Sequence, residues 1–176
     1  MYSLESNLVN QPIISLQTGQ AVAWVGPPVL DVASLEVVAY TCHSPNHKGP
    51  LLLMTGDIRQ YATDCLIIDD EEELANPDDI VRFTTDLNHH YSPLGKLVVA
   101  DTGRKLGLVE DYSINLETNR VQKLYVRQSI LRSWLGSNLI VDRTQIIDIT
   151  PERITVRDST VTNNLLASDT LPEIHP

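Results

Sequence analysis

Residues 92–127, SPLGKLVVADTGRKLGLVEDYSINLETNRVQKLYVR, decide the fold because they have the pattern of an antiparallel β-meander. In the middle of this stretch apolar and polar residues alternate, which is the period of a half-buried strand, and only Val109 and Glu110 break the alternation. Gly103 and Asn119 stand in the flanking turns, where each can take the positive φ that a tight reversal requires. Three strands cannot bury two faces alone, so we expect further strands downstream.

A fainter copy of this stretch lies earlier in the chain. It occupies residues 8–43 and aligns with the later copy at a constant offset of 84 residues without a gap, so that Gly19 falls on Gly103. From residue 51 onward the offset becomes 88, because the second copy has four extra residues between Arg127 and Asn138. A duplicated unit of about eighty residues with short strands and frequent turns is typical of two small barrels rather than one sandwich.

The duplication predicts an all-β protein made of two tandem small β-barrels, with a short helix in or near the linker. The predicted parts are a first, degenerate domain at 8–75, an acidic and helical linker at 76–91, a second domain at 92–160 and a mobile tail at 161–176. The linker helix is predicted from the order Asn76-Pro77-Asp78-Asp79, which places an N-cap, a first-turn proline and acids at the positive dipole end. Residues 1–7 are polar and are predicted to be an unstructured lead-in.

The two copies differ at positions that affect the backbone. Leu35 stands where the second copy has Asn119, and leucine does not accept positive φ cheaply, so we expect that turn to be built differently. The first copy also has Gly26-Pro27-Pro28 in the long strand. Because two prolines remove ladder donors, we expect this strand to be interrupted there or to lie at an edge.

The second copy resembles the PRC-barrel domain family. The resemblance rests on Leu94-Gly95-Lys96, Asp101, Gly103-Arg104, Leu106-Gly107, Val109, Asp111, Glu117-Thr118-Asn119 and Val121. It covers residues 92–158; in the first copy it depends mainly on the internal repeat, since Ala23 and Pro27 replace Gly107 and Asp111. The family includes archaeal and bacterial PRC-barrel proteins, the photosynthetic reaction-centre H subunit and the C-terminal domain of ribosome maturation factors. The resemblance implies a small twisted barrel used as a docking module, with no shared catalytic residue.

Composition and charge restrict the class of protein. The 176 residues are 42% hydrophobic and include two cysteines, with no targeting segment and no long apolar run, so we expect a soluble protein of a reducing compartment, by default the cytoplasm. The net charge of −10 lies entirely in residues 1–90, which disfavours direct nucleic-acid binding. Four basic residues of the neutral half could form a local stripe, but solvated positions are the favoured interpretation: Arg120, Lys123, Arg127 and Arg132.

The sequence offers little that indicates catalysis. It contains no glycine-rich phosphate loop, no Gly-x-Ser-x-Gly and no Cys-x-x-Cys, so we expect no enzyme activity and no cofactor. Cys42, His43 and His47 could form part of a metal site, but three ligands without a paired motif favour a core cysteine and loop histidines, and we predict no metal. A disulfide between Cys42 and Cys65 is disfavoured in the cytosol.

The four extra residues fall in an apolar segment, QSILRSWLGSN at 128–138. Connections of this kind are usually polar, so an apolar stretch with a tryptophan and an arginine has the composition of a protein-contact hot spot. The candidate partner contacts are Ile130, Leu131, Arg132, Trp134 and Leu135. Two alternatives remain open: Trp134 instead plugs the open end of the barrel, or the same patch forms a homodimer.

Two functions from different classes follow. The first is a non-enzymatic adaptor that binds protein partners through the segment or by strand addition, as the family resemblance implies for cell division or the assembly of a membrane-associated complex. The second is a ribosome-assembly factor that acts on the small subunit, although those factors pair a different N-terminal barrel with the PRC-barrel.

Overall fold

The computed structural model describes residues 1–79, 91–128 and 139–158, and most regular structure within them is β-strand. The strands are β1 (Tyr2–Leu4), β2 (Pro12–Ser15), β3 (Ala21–Asp31), β4 (Glu36–His43), β5 (Leu51–Met54), β6 (Gln60–Tyr61), β7 (Leu66–Ile68), β8 (Leu74–Ala75), β9 (Leu97–Ala100), β10 (Lys105–Asn115), β11 (Arg120–Arg127), β12 (Leu139–Asp142), β13 (Ile146–Ile149) and β14 (Arg153–Val156). The helical pieces are α1 (Glu5–Leu8) and the 3-10 turns Thr55–Asp57, Glu71–Glu73, Pro77–Asp79 and Arg143–Gln145. The all-β prediction is confirmed.

The strands form one curled sheet that runs through both halves of the chain. Its main order is β13-β14-β9-β10-β11-β4-β3-β2-β7-β6, with β1 added on β10, β12 on β11, β5 on β4 and β8 on β5. Buried side chains from both halves belong to one core cluster, which includes Tyr40 of the first half and Tyr112 of the second. The division into two tandem barrels stays a prediction.

The internal repeat is visible in the strand boundaries. β3 and β10 differ by 84 residues at both ends, as do β4 and β11, while β5 and β12 differ by 88. The registers agree as well, since Pro28 pairs with Tyr40 in the first half and Tyr112 with Leu124 in the second. The two halves of the chain therefore repeat one strand plan.

The gap-free alignment is wrong by one residue before β3. The parallel pair Ile13 and Leu66 corresponds to Val98 and Ile154, which is an offset of 85 for the first strand of each half. The first-half turn is one residue longer. The Ser15 amide donates to the Gln20 carbonyl, five residues ahead, whereas the Ala100 amide donates to the Arg104 carbonyl, four residues ahead. An alignment that matches Gly19 with Gly103 does not show this difference in turn length.

Positive φ occurs at the predicted turn residues Gly19 (67°), Gly103 (83°) and Asn119 (52°). It also occurs at Leu35 (54°), so the expectation of a different turn there is wrong. The Leu35 carbonyl accepts a hydrogen bond of 2.9 Å from the Val121 amide, and only 5% of the residue is exposed. Burial and this long-range bond offset the steric cost of the left-handed conformation.

The two halves meet through reciprocal contacts between equivalent turns. The Val37 amide donates to the Asn119 carbonyl at 2.6 Å. The equivalent bond in the opposite direction is made by the Val121 amide, which donates to the Leu35 carbonyl. Between these bonds Glu36 pairs with Arg120, its own equivalent at offset 84. A contact in which residue i meets j and j meets i is that of a twofold interface. The chain thus has the contact pattern of an internal pseudo-dimer.

The N-terminal residues are ordered by the opposite half, so the unstructured lead-in is a wrong prediction. β1 pairs antiparallel with β10, with Ser3 opposite Ile114. The segment before the second repeat does the same in reverse, since Tyr91 forms a bridge with Leu30, the counterpart of Ile114. Backbone pairing across the halves, which no local pattern encodes, outweighs the polar composition of these residues.

The predicted proline break is a bulge inside a continuous strand. β3 runs through Pro27 and Pro28, and its ladder with β4 shifts register between Val25 and Pro28. Gly26 suits this place because a Cβ there would lie 2.7 Å from the Thr41 hydroxyl oxygen. A bulge leaves ladder positions unpaired, so the prolines cost few hydrogen bonds.

The predicted linker helix starts as a 3-10 turn, Pro77–Asp79, after Asn76. The Asp79 amide donates to the Asn76 carbonyl at 3.1 Å. The rest of the predicted helix lies outside the described residues.

Candidate functional site

The predicted partner contacts, from Ile130 to Leu135, lie outside the described residues. The structure does describe the strands that border this segment, because β11 ends at Arg127 and β12 begins at Leu139. The described part of the candidate site is therefore the face of the sheet that these strands form.

Strand alternation separates a core face from an outer face. On β11, Leu124 and Val126 are buried in the core, whereas Lys123 and Arg127 are exposed and Tyr125 is half-buried. Successive side chains of a strand point to opposite faces, which places the second set together on the outside. We call the outer side of β9–β12 the outer face of the second half.

Two apolar side chains are exposed on this outer face. Leu108 of β10 is 43% exposed and pairs with Arg127 on one side and Leu97 on the other. Ile140 of β12 is 52% exposed and pairs with Tyr125 of β11. Leu108 and Ile140 lie on either side of β11 on the same face, and apolar side chains grouped in this way are candidates for contact with a partner.

The equivalent position in the first half is covered. Leu52 corresponds to Ile140 and is only 1% exposed. It packs with Val29 and Ala39 in a second, smaller core cluster, and β8 pairs with its strand through Ala75. Among the described residues, the two halves thus differ in the covering of one face, since Ile140 is exposed where Leu52 is buried; positions 162–163, the counterparts of β8, lie outside the described residues.

Of the four basic residues considered for a stripe, the three that the structure describes each lie beside a carboxylate. Arg120 lies 3.2 Å from Glu36, and Arg127 lies 3.9 Å from Glu110. Lys123 pairs across the strand with Asp142, and it contributes, after two hydrogen bonds from Thr144, to lowering the pKa of that carboxyl. Among the residues the structure describes, the basic positions form mixed-charge pairs rather than a phosphate-binding stripe; Arg132 lies outside them.

Helix α1 packs against β10. The Ser6 hydroxyl donates to the Asp111 carboxylate at 2.5 Å. Beside it Glu5 is 8% exposed, and burial, followed by the nearby Asp111 charge, raises the pKa of Glu5. Two carboxyl groups therefore share a partly dry site between α1 and β10.

The cysteine and histidine candidates do not converge. Cys42 is a buried free thiol, and burial raises its pKa to about 12, which is unsuited to metal binding or nucleophilic attack. His43 stacks on Trp24 with ring centroids 5.7 Å apart. Within residues 1–79, 91–128 and 139–158, no three His, Cys, Asp or Glu side chains are placed to hold a metal ion.

Sequence reasoning missed Leu108 and Ile140 as surface residues. Leu108 shares its parity with the buried Tyr112 and Ile114, so a regular strand places it in the core. The ladder shifts register between Val109 and Asp111, which reverses the faces. The break at Val109 and Glu110 was the signal that could have found it.

Comparison with known proteins assigns no family. No model of a known protein family matches the chain, and no curated protein matches its sequence. Among the helices of the described residues, none combines the length and the apolar character needed to cross a bilayer.

Proposed function

We propose that this protein is a non-enzymatic adaptor that binds a protein partner on the outer face of its second half. The observation that carries the proposal is the difference between Ile140 and its counterpart Leu52, which are 52% and 1% exposed. Both halves have an apolar residue at this position of the repeat, but only the first half buries it. A position that one half buries and the other exposes is a candidate for burial by a partner.

The proposed site joins the geometry to the sequence prediction. Ile140 lies on β12, which follows residues 128–138, and Leu108 lies on β10 beside Arg127 of β11, which precedes them; the candidate contacts in that segment include Trp134. A central apolar and aromatic anchor with a rim of arginine is the usual composition of an interface hot spot. The partner surface should offer apolar side chains together with acceptors for Arg127.

The resemblance to the PRC-barrel family supports the same function. In that family the small barrels serve as docking modules, and tandem copies would give one chain two docking units. The proposal therefore includes two PRC-barrel-like units, the second of which holds the partner.

The test is quantitative affinity purification from the native host with matched variants. Ile140→Glu places a charge on the outer face, whereas Leu16→Glu makes the same change at a turn of the first half that is 51% exposed. We expect at least one protein to be retained by the wild type and Leu16→Glu and lost by Ile140→Glu. If Ile140→Glu, Leu108→Glu and Trp134→Ala all retain the same proteins as the wild type, the adaptor site is not here.

A sedimentation assay tests the ribosomal alternative. A small-subunit assembly factor should co-sediment with 30S particles at moderate salt. The described surface gives this alternative little support, since Arg120, Lys123 and Arg127 each lie beside a carboxylate. Absence of co-sedimentation would remove it.

A further inference from the structure

A pocket of about 370 Å³ opens between the two halves of the chain. One wall is the turn after β3, and the other runs from the 3-10 turn Arg143–Gln145 along β13. The lining residues are Val32, Ala33, Ser34, Leu35, Arg143, Thr144, Ile146, Ile147, Asp148 and Ile149. The pocket lies apart from the outer face, and nothing in the adaptor proposal uses it.

The twofold contact pattern explains why this pocket exists. Leu35 and Ile149 line it, and their counterparts in the other half are Asn119 and Tyr61. At that equivalent place the Tyr61 hydroxyl donates to the Asn119 side-chain oxygen at 2.9 Å. The phenol of Tyr61 therefore fills the contact between the halves on one side. On the other side the shorter Ile149 leaves space.

The walls of the pocket combine apolar and polar groups. Leu35, Ile147 and Ile149 supply apolar surface. The Arg143 guanidinium donates to the Ser34 carbonyl at 3.0 Å, which uses one of its five donors. Asp148 adds a carboxylate of opposite charge. Because the two charges balance, a neutral molecule with a hydroxyl group suits the pocket better than an ion.

We propose that this pocket binds a neutral phenol, from either a free small molecule or a tyrosine side chain of a peptide. The ring lies between Leu35 and Ile149, next to Leu35 as Tyr61 is next to Asn119, the counterpart of Leu35. The hydroxyl accepts from Arg143 and donates to Asp148 or to the Ser34 carbonyl. The volume is at the lower end of the range for small-molecule sites, which matches a single ring.

Methyl-detected NMR titration of the full chain tests the proposal. The probes are p-cresol as a free phenol, N-acetyltyrosinamide as a peptide-like tyrosine, and toluene as the ring without the hydroxyl. We expect p-cresol to shift the methyl signals of Val32, Leu35, Ile146, Ile147 and Ile149, and toluene to bind about tenfold more weakly because the polar groups stay unpaired. Binding of N-acetyltyrosinamide as well points to a peptide source, and binding of p-cresol alone points to a free molecule.

A rebuilt symmetric contact provides the decisive variant. Leu35→Asn with Ile149→Tyr reproduces the Tyr61 and Asn119 pair, so the new phenol should fill the pocket and weaken p-cresol binding by at least about tenfold. The matched control is Leu16→Tyr, which adds a phenol at an exposed turn of the first half and should bind as the wild type. A folded double variant that binds p-cresol normally overturns the proposal, as do wild-type shifts that are absent or lie outside the pocket.

A second variant covers the case in which the double variant does not fold. Ile147 is 52% exposed, so Ile147→Lys should be tolerated while it places a charge in the apolar wall. We expect this variant to lose p-cresol binding by at least about tenfold. Unchanged binding by folded Ile147→Lys overturns the proposal independently.

Discussion

At the residue scale, Glu5 is the side chain whose charge state is most directly linked to the fold. It is 8% exposed at the contact of α1 with β10, near the Asp111 carboxylate. Burial first, and then Asp111, raise the pKa of Glu5 above the ordinary value of 4.5. A carboxyl group with a raised pKa in the folded state favours folding when protonated, and this contribution is lost as the pH rises through the folded-state pKa. At neutral pH the ionised Glu5 therefore lowers stability.

Glu5→Gln should raise the melting temperature by a few degrees at neutral pH, because it removes the buried charge and keeps the shape. The gain should shrink as the pH falls and disappear below the ordinary pKa of 4.5, where Glu5 is protonated in both states. Thermal melts followed by circular dichroism across this pH range measure the effect. Glu152→Gln, at an exposed position, is the control. An equal gain at all pH values would show that the charge of Glu5 is not the cause.

Gly107→Ala should destabilise the protein strongly. A Cβ at Gly107 would lie 2.2 Å from the Arg127 carbonyl oxygen, a backbone atom that cannot move without disturbing β11. We expect a loss of about 3 kcal/mol in the free energy of unfolding, as for other overpacked sites. Urea denaturation measures it, with Gly56→Ala as the control, because no atom lies within 4 Å of a Cβ there. Equal midpoints for the two variants would contradict the close approach.

Single residues also show what local chemistry can and cannot predict. Turn composition pointed to positive φ at Gly103 and Asn119, because glycine and asparagine accept that conformation on their own. Leu35 has the same conformation for a reason that lies 86 residues away, in its bond to Val121. Asn10 has φ of 69° where the second half has Gly95, and only the one-residue correction of the alignment makes them equivalent. Local preference predicts a turn, and long-range pairing decides the exceptions.

At the element scale, β10 shows how a bulge changes the meaning of a pattern. The alternating sequence correctly predicted a strand, and both Tyr112 and Ile114 are in the core. The register shift after Val109 exchanges the two faces, so Leu108 and Val109, just before the bulge, have the opposite orientation. Leu108 thereby moves from an expected core position to the outer face. The exposure of Leu108 depends on this irregularity, whereas that of Ile140 on β12 does not.

β1 should stabilise the opposite half rather than its own. Its backbone pairs with β10, and the Leu116 amide donates to the Met1 carbonyl at 2.9 Å. Removal of residues 1–4 should therefore lower the melting temperature by several degrees and speed hydrogen exchange at Leu116. Tyr2→Ala is the control, since that side chain is 65% exposed and the backbone pairing remains. Unchanged exchange at Leu116 in the shortened chain would contradict this pairing.

At the scale of the whole molecule, each half contributes a backbone segment that pairs with the other half, and we call these two pairings the exchanges. β1 of the first half pairs with β10 of the second, and Tyr91 at the start of the second pairs with Leu30 of the first. The turn contacts at the centre are reciprocal as well, and the buried residues form one core cluster. Duplication was readable from the sequence because each copy kept its own strand pattern. The pairing between the copies was not, because it is made by backbone groups that every sequence possesses.

These exchanges predict that the halves stay together when the chain between them is cut. A protease site inserted after residue 85 would remove the covalent link and leave the described contacts in place. We expect the cleaved protein to elute from size-exclusion chromatography as one species of unchanged size, because the shared core and the crossed pairings are non-covalent. Removal of residues 1–4 together with the cut should weaken the association, since it deletes the larger of the two exchanges. If the cleaved halves separate while each remains folded, the central contacts are too weak to hold a pseudo-dimer, and the two repeats behave as independent domains.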